Sequence, residues 1–229
     1  MIAIFDIGST LIDGPPYGPA RRLAEMLGLG KPAVAQLEHL LFRSPSKTPE
    51  DLAAHITAEL GVDAVEACTE LWNAQLTEAY VLPGAQQALT RLRKAGIPRA
   101  YLSNIWPPFY EHFRREFVEE ADHPQFLSFQ TGLMKPDPAF FRLAFDRLAH
   151  PIENMVMIGD TYKNDILPAI ELGLRTIWIL HRPDKERPAL VEVLNGRLPK
   201  PDLTLPSIGE LHASDIHALF REKHEHSAI

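Results

Sequence analysis

Ile2-Ala3-Ile4-Phe5-Asp6-Ile7-Gly8-Ser9-Thr10-Leu11-Ile12-Asp13 is the stretch that decides the fold. It starts as a short apolar run and breaks at Asp6 into turn-forming residues. Such a run reads as a strand buried on both faces. A carboxylate at the carboxyl end of a buried strand stands at the rim where open α/β sheets bind ligands. Three later stretches have the same character: Tyr101-Leu102-Ser103-Asn104, Met134-Lys135-Pro136-Asp137-Pro138, and Ile158-Gly159-Asp160-Thr161-Tyr162-Lys163-Asn164-Asp165. Together with Asp6 they supply a hydroxyl, an ammonium and two further carboxylates. That set suits a magnesium-dependent phosphoryl-transfer site.

Composition narrows the alternatives. The chain has 229 residues, 45% of them hydrophobic, enough for a sizeable core. No apolar run approaches the roughly 18 residues needed to span a bilayer, and the first residues enter a strand directly, with no secretory leader expected. A single cysteine, Cys68, excludes an internal disulfide framework and fits a cytoplasmic location. The formal net charge of −7 disfavours nucleic acid as a partner. The ten histidines show no ligand-like pairing, and His212, His217, His224 and His226 read as a solvated tail rather than a zinc site.

Between the first two strands lies a helical insertion. Leu23, Met26 and Leu27 have helical spacing, as do Val34, Leu37, Leu40 and Leu41. Thr48-Pro49-Glu50-Asp51 reads as a helix start, with Thr48 as N-cap and Pro49 at the first position. Val65, Cys68, Leu71, Trp72 and Leu76 form a further helix, making about four in all. The chain therefore divides into a core of residues 1–14 and 81–229 and a helical cap of residues 15–80. In the core, strands Pro98–Leu102, delivering Ser103, and Met155–Ile158, delivering Asp160, alternate with helices such as Ala85–Lys94 and Ala139–Leu148. That alternation gives an α/β fold: a mostly parallel sheet with helices on both faces. Residues 181–201 read as a polar, proline-rich loop with a short helix around Leu190.

Asp6 is the candidate nucleophile, since a carboxylate can attack a phosphoryl group and form an aspartyl-phosphate. Asp6 and Asp160 at one rim repel each other unless a cation lies between them, and magnesium takes hard oxygen ligands. Asp165 is either a water-mediated metal ligand or the N-cap of the helix from Ile166. Lys135 neutralises phosphate charge and holds Asp6. Ser103 and the backbone N–H of Asn104 are donors for phosphate oxygens, and Thr10 joins them as a substrate-binding residue. Tyr17, Arg21, Arg43 and Trp106 are candidates for the entrance.

These four segments, in this order and at these strand ends, resemble the haloacid dehalogenase superfamily of hydrolases. Gly159-Asp160 followed by Asp165 is the most specific piece, and Lys135-Pro136-Asp137-Pro138 the next. The resemblance implies a Rossmann-like core, a nucleophilic Asp6, phosphate binding by Ser103 and Lys135, and Mg2+ held by Asp6, Asp160 and the backbone carbonyl of residue 8. It also implies a cap that closes over a small phosphorylated metabolite. One departure stands out. Phosphatases of the family carry Asp-x-Asp-Gly-Thr, and here the second aspartate is Gly8. The metal site survives this change and the general acid–base is lost, which favours acyl or aryl phosphates over alkyl ones. Two alternatives follow: a phosphonate-type C–P hydrolase using a cap lysine, Lys31 or Lys47, or a weakly catalytic or non-catalytic homologue that binds a ligand or partner.

Overall fold

The computed structural model of the protein describes residues 1–225, so His226 lies outside it. The chain opens with β1 (Ile2–Phe5) and the two-residue β2 (Ile12–Asp13). Four helices follow: α1 (Pro19–Met26), α2 (Lys31–Arg43), α3 (Pro49–Leu60) and α4 (Val65–Glu78). After β3 (Tyr80–Val81) come α5 (Ala85–Lys94), β4 (Arg99–Ser103), α6 (Pro107–Glu116), β5 (Gln125–Leu127), α7 (Ser128–Thr131) and α8 (Pro138–Leu148). Next are β6 (Met155–Gly159), α9 (Leu167–Glu171), β7 (Arg175–Ile179), α10 (Pro183–Leu194), β8 (Leu203–Leu205) and α11 (Ala213–Glu225).

Six strands form one parallel sheet in the order β5-β4-β1-β6-β7-β8. The α/β architecture expected from the alternation of strands and helices is therefore the one observed. Every residue of β1, β4 and β6 is buried, because helices cover both faces of a parallel sheet. Ala3 and Phe5 pack with α5, Phe113 of α6 and Ile216 of α11. Ile2 and Ile4 point the other way, onto Phe140, Phe141 and Ala144 of α8 and Ala169 of α9. The chain leaves β1 towards β4 and β5 on one side and returns to β6, β7 and β8 on the other. The strand order thus reverses beside β1, and this is where open sheets leave a crevice for ligands.

Helices α1–α4 bury a separate apolar cluster that includes Leu23, Leu37, Leu41, Ile56 and Leu71. Thr48 is the expected N-cap of α3, and Asp51 completes a capping box: Asp51 N donates to Thr48 Oγ1 at 3.2 Å and Thr48 N donates to Asp51 Oδ2 at 3.2 Å. Trp106, from the loop after β4, is buried inside this cluster and meets Trp72 edge-on at 5.6 Å. The antiparallel pair β2–β3 joins the two chain crossings. Burial pushes the Cys68 thiol up to about 11, so it stays protonated among apolar neighbours.

One stretch differs from expectation. The loop expected over residues 181–201 contains the twelve-residue α10. Pro183 sits at its start, where a missing N–H is harmless, and Asp184 and Glu186 favour the N-terminal end of the helix dipole. The closing helix that Ile208 to Leu219 suggested is present as α11; His217 and His224 fall within it, and His212 precedes it.

Candidate active site

Asp6, Asp160 and Asp165 each present a carboxylate oxygen, all within 4.8 Å of one another, and all three residues are buried. Asp6 follows β1 and Asp160 follows the neighbouring β6, which pairs with β1 in parallel from Ile2↔Met155 to Phe5↔Ile158. Asp165 reaches them through a π-helical turn, Tyr162–Ile166. A Cβ on Gly159 would stand 2.5 Å from the Cβ of Asp165. The glycine is thus what lets that turn fold back against the strand. Asp165 does not cap α9 with its side chain, contrary to one of its expected roles; its Oδ2 accepts from the backbone N–H of Thr161 at 2.9 Å.

Lys135, only 2% exposed, closes the cluster. Its Nζ donates to Asp6 Oδ1 at 2.7 Å and to Asp165 Oδ1 at 2.6 Å. Burial pulls this ammonium down, but Asp165 and Asp6 more than offset the effect, and the group stays charged. Asn104 fixes the lysine backbone from both sides: Oδ1 accepts from Lys135 N at 2.7 Å and Nδ2 donates to Lys135 O at 2.8 Å. The sequence offered Asn104 as a backbone donor; its side chain is what orders the Lys135 loop. Asp160 pairs instead with Arg182, whose NH2 donates to Asp160 Oδ2. Burial pushes Asp160 and Asp165 above the ordinary carboxylate range; Arg182 and Lys135 respectively pull them back, and nearby carboxylates push further. Three charged carboxylates at this spacing would repel pairwise by about 3.5 kcal/mol or more at an effective dielectric near 20. The donor set of hard carboxylate oxygens fits a divalent cation such as Mg2+.

A cleft of about 430 Å3 opens above the cluster. Asp6, Gly8, Asn104, Lys135, Asp160 and Asp165 all line it. Of the expected entrance residues, Tyr17, Arg21 and Trp106 line it and Arg43 does not. Ser103 and Thr10 are fully buried behind the lining, and both hydroxyls lack a partner. Lys31 and Lys47 are absent from the lining, which removes the support that cap lysines gave to a C–P hydrolase. Gly8 has ordinary negative φ, and a Cβ there would meet its nearest neighbour, Phe109, at 3.5 Å. Ser9 instead takes the strained left-handed turn at φ 57°.

The residues the sequence reading missed are Arg182 and Lys185, at the start of α10. The available signal was Arg182-Pro183-Asp184 directly after the apolar run Thr176–Leu180, a strand end followed by a helix start.

This arrangement defines a hydrolase, and comparison with known families agrees. The chain belongs to the haloacid dehalogenase-like hydrolases, whose family model matches residues 1–173. It is similar to phosphoglycolate phosphatase of Pseudomonas fluorescens, 28% identical over 93% of this chain and 86% of that protein. Glyceraldehyde 3-phosphate phosphatase of Pyrococcus furiosus is 26% identical over 77% of this chain and 79% of the relative. Among solved structures, an HAD phosphatase from Thermococcus onnurineus matches with a TM-score of 0.58 and 21% identity, covering 92% of this chain and 95% of that one. A 2-haloacid dehalogenase from Pseudomonas syringae matches at 0.61 with 20% identity, covering 95% and 99%. These structures share the fold. No helix among the described residues is long and apolar enough to cross a membrane.

Proposed function

We propose that the chain is a Mg2+-dependent phosphatase acting on a small phosphorylated metabolite through an aspartyl-phosphate at Asp6. The observation that carries this reading is the Lys135 bridge between Asp6 and Asp165 inside a buried cluster of three carboxylates. The names of the relatives support it.

The residues would divide the work as follows. Asp6, Asp160, Asp165 and the carbonyl of Gly8 would hold the metal, whose positive charge offsets that of the phosphoryl oxygens. Lys135 aims the Asp6 carboxylate and neutralises the same oxygens. An Asp6 oxygen attacks phosphorus and the bond to the leaving oxygen breaks, placing the phosphoryl group on Asp6. Water then attacks phosphorus and restores the carboxylate. Ser103 and Thr10, with unpartnered hydroxyls close behind the lining, support the phosphate-binding loops. Residues 15–80 act as the cap over the cleft.

No side chain at position 8 protonates the leaving group. General acid–base catalysis is worth about 10²- to 10⁴-fold, so turnover is slow for alkyl phosphates and less impaired for acyl or aryl phosphates. The test is hydrolysis of acetyl phosphate and p-nitrophenyl phosphate with Mg2+ and with chelator, alongside mass spectrometry of phosphorylated Asp6. Metal-dependent release and a modified Asp6 are expected. Hydrolysis indifferent to chelator, or with Asp6 never modified, would sink the reading.

A further inference from the structure

Lys135 is committed to Asp6 and Asp165, and on the cap side Arg21 lies over the Tyr17 ring at 4.0 Å and bonds Glu25 at 2.9 Å. Two other cations line the cleft and come from one place, the first turn of α10. Arg182 is its N-cap residue, and Lys185 follows on the same turn. Lys185 makes no ion pair among the described residues. Arg182 binds Asp160, while its Nε is buried with no partner. Cations at a helix N-terminus oppose the helix dipole, so their placement does not serve the helix. Asp184 and Glu186 offset them at this helix end, but of these four charges only Arg182 and Lys185 line the cleft.

Arg182 also holds the one carboxylate of the cluster that Lys135 does not touch. If Asp160 turns its charge to a metal, Arg182 is left half-buried with its anion shared. A half-buried guanidinium in that position calls for another anion. Asp13 and Glu186 act on the guanidinium charge through space, but neither bonds it. Asp13 accepts from Ser9 Oγ at 3.1 Å and Gly14 N at 2.9 Å and faces His181 at 3.4 Å. Glu38 belongs to α2 of the opposing unit, and Glu186, which does not line the cleft, accepts from Tyr162 N at 2.9 Å.

We propose that Arg182 and Lys185 form a second anion subsite in the cleft, so that the preferred substrate is a phosphomonoester bearing a second anionic group. That group is a carboxylate or another phosphate, both of which accept the forked guanidinium donors. The proposal rests on the phosphatase reading for its phosphoryl end, and binding measurements separate the two.

The experiment uses the Asp6→Asn protein with Mg2+, titrated calorimetrically with glycerol phosphate, phosphoglycerate and glycerol bisphosphate, which share a three-carbon frame. Phosphoglycerate or the bisphosphate binds about 10- to 100-fold tighter than glycerol phosphate, as expected for a hydrogen-bonded charge pair. Which of the two gains identifies the second anion. Adding Lys185→Gln, which bonds none of the three carboxylates although its charge acts on Asp160, lowers that preference about tenfold with little change for glycerol phosphate. Arg182→Gln lowers it as well, and titration with Mg2+ alone separates this from an effect on Asp160. Equal binding of the three ligands, absence of binding, or a preference that survives both substitutions overturns the subsite. Should the preference hold while the wild-type protein hydrolyses none of the three, the phosphatase reading fails and the subsite stands.

Discussion

At its first residue β4 carries one buried ion cluster, and beyond its last residue another begins. At the entry end, Arg99 and Glu120 are each 3% exposed and paired by two bonds of 2.8 and 3.2 Å. Tyr101 donates to Glu120 at 2.6 Å, Arg99 NH1 reaches Ile97 O at 3.0 Å, and its NH2 meets His123 Nε2 at 2.7 Å. Burial, then Glu120, raises the Tyr101 pKa well above its ordinary value, so the phenol keeps the proton it donates. Burial, then Arg99, lowers that of His123, leaving a neutral ring able to accept. One cation meets one carboxylate there, with their polar neighbours joined to the pair. At the exit end, three carboxylates meet Lys135 and Arg182, and the Ser103 hydroxyl has no partner. The first cluster is closed and serves stability; the second leaves charge and hydrogen bonds open, as a binding site must.

The largest test of this contrast is Asp6→Asn. It keeps the shape of the side chain and removes the proposed nucleophile. Phosphatase turnover falls by on the order of 10⁴-fold or more, while Lys135 retains Asp165 and the urea midpoint changes little. Residual activity near wild type would reduce the open cluster to an electrostatic curiosity. Gly8→Asp comes next. With 3.5 Å from an added Cβ to Phe109 and no positive φ, the backbone accepts a side chain there. Alkyl phosphate turnover rises by about 10²- to 10⁴-fold, and acyl phosphate turnover rises less in the phosphorylation step, read by pre-steady-state release of the leaving group. A uniform rise for both substrates would show that the missing group acts on water and not on the leaving oxygen.

Glu120→Ala probes the closed cluster. It leaves Arg99 buried without its carboxylate, which costs about 3–5 kcal/mol, measured by urea unfolding. The folded variant keeps its kcat, because this cluster lies at the opposite end of β4 from the cleft. A stability loss below about 1 kcal/mol would place the pair with exposed salt bridges despite its burial.

The two clusters were also unequally legible in the sequence. Asp6, Ser103 and Asp160 could be placed because each ends an apolar run, and parallel pairing brings such ends to one rim. Lys135 followed from its proline-flanked segment, which cannot be a regular helix. Arg99 and Glu120 are 21 positions apart, with nothing local to mark them as partners. Arg182 and Lys185 were hidden by Pro183 and Pro188, which make α10 read as a loop, although a proline in a first turn is compatible with a helix. The β2–β3 pair is only two residues long per strand, too short for a periodic signal. In the inserted unit, spacing gave the helices, but Trp106, separated from them in sequence, is what completes their apolar cluster.

Ser103→Ala carries the smallest expected effect and bears most directly on what an open cluster means. A hydroxyl that is fully buried and unpartnered contributes no hydrogen bond to the folded state. Removing such a group spares a desolvation cost and leaves a void no larger than one oxygen. Stability should therefore hold or rise by up to about 1 kcal/mol in urea unfolding. If Ser103 donates to the phosphate once the loop tightens around it, the same substitution raises KM or inhibitory phosphate Kd by about tenfold. A variant that loses stability instead, with phosphate affinity unchanged, would mean that the Ser103 hydroxyl is satisfied within the fold. The exit end of β4 would then be closer in kind to the entry end.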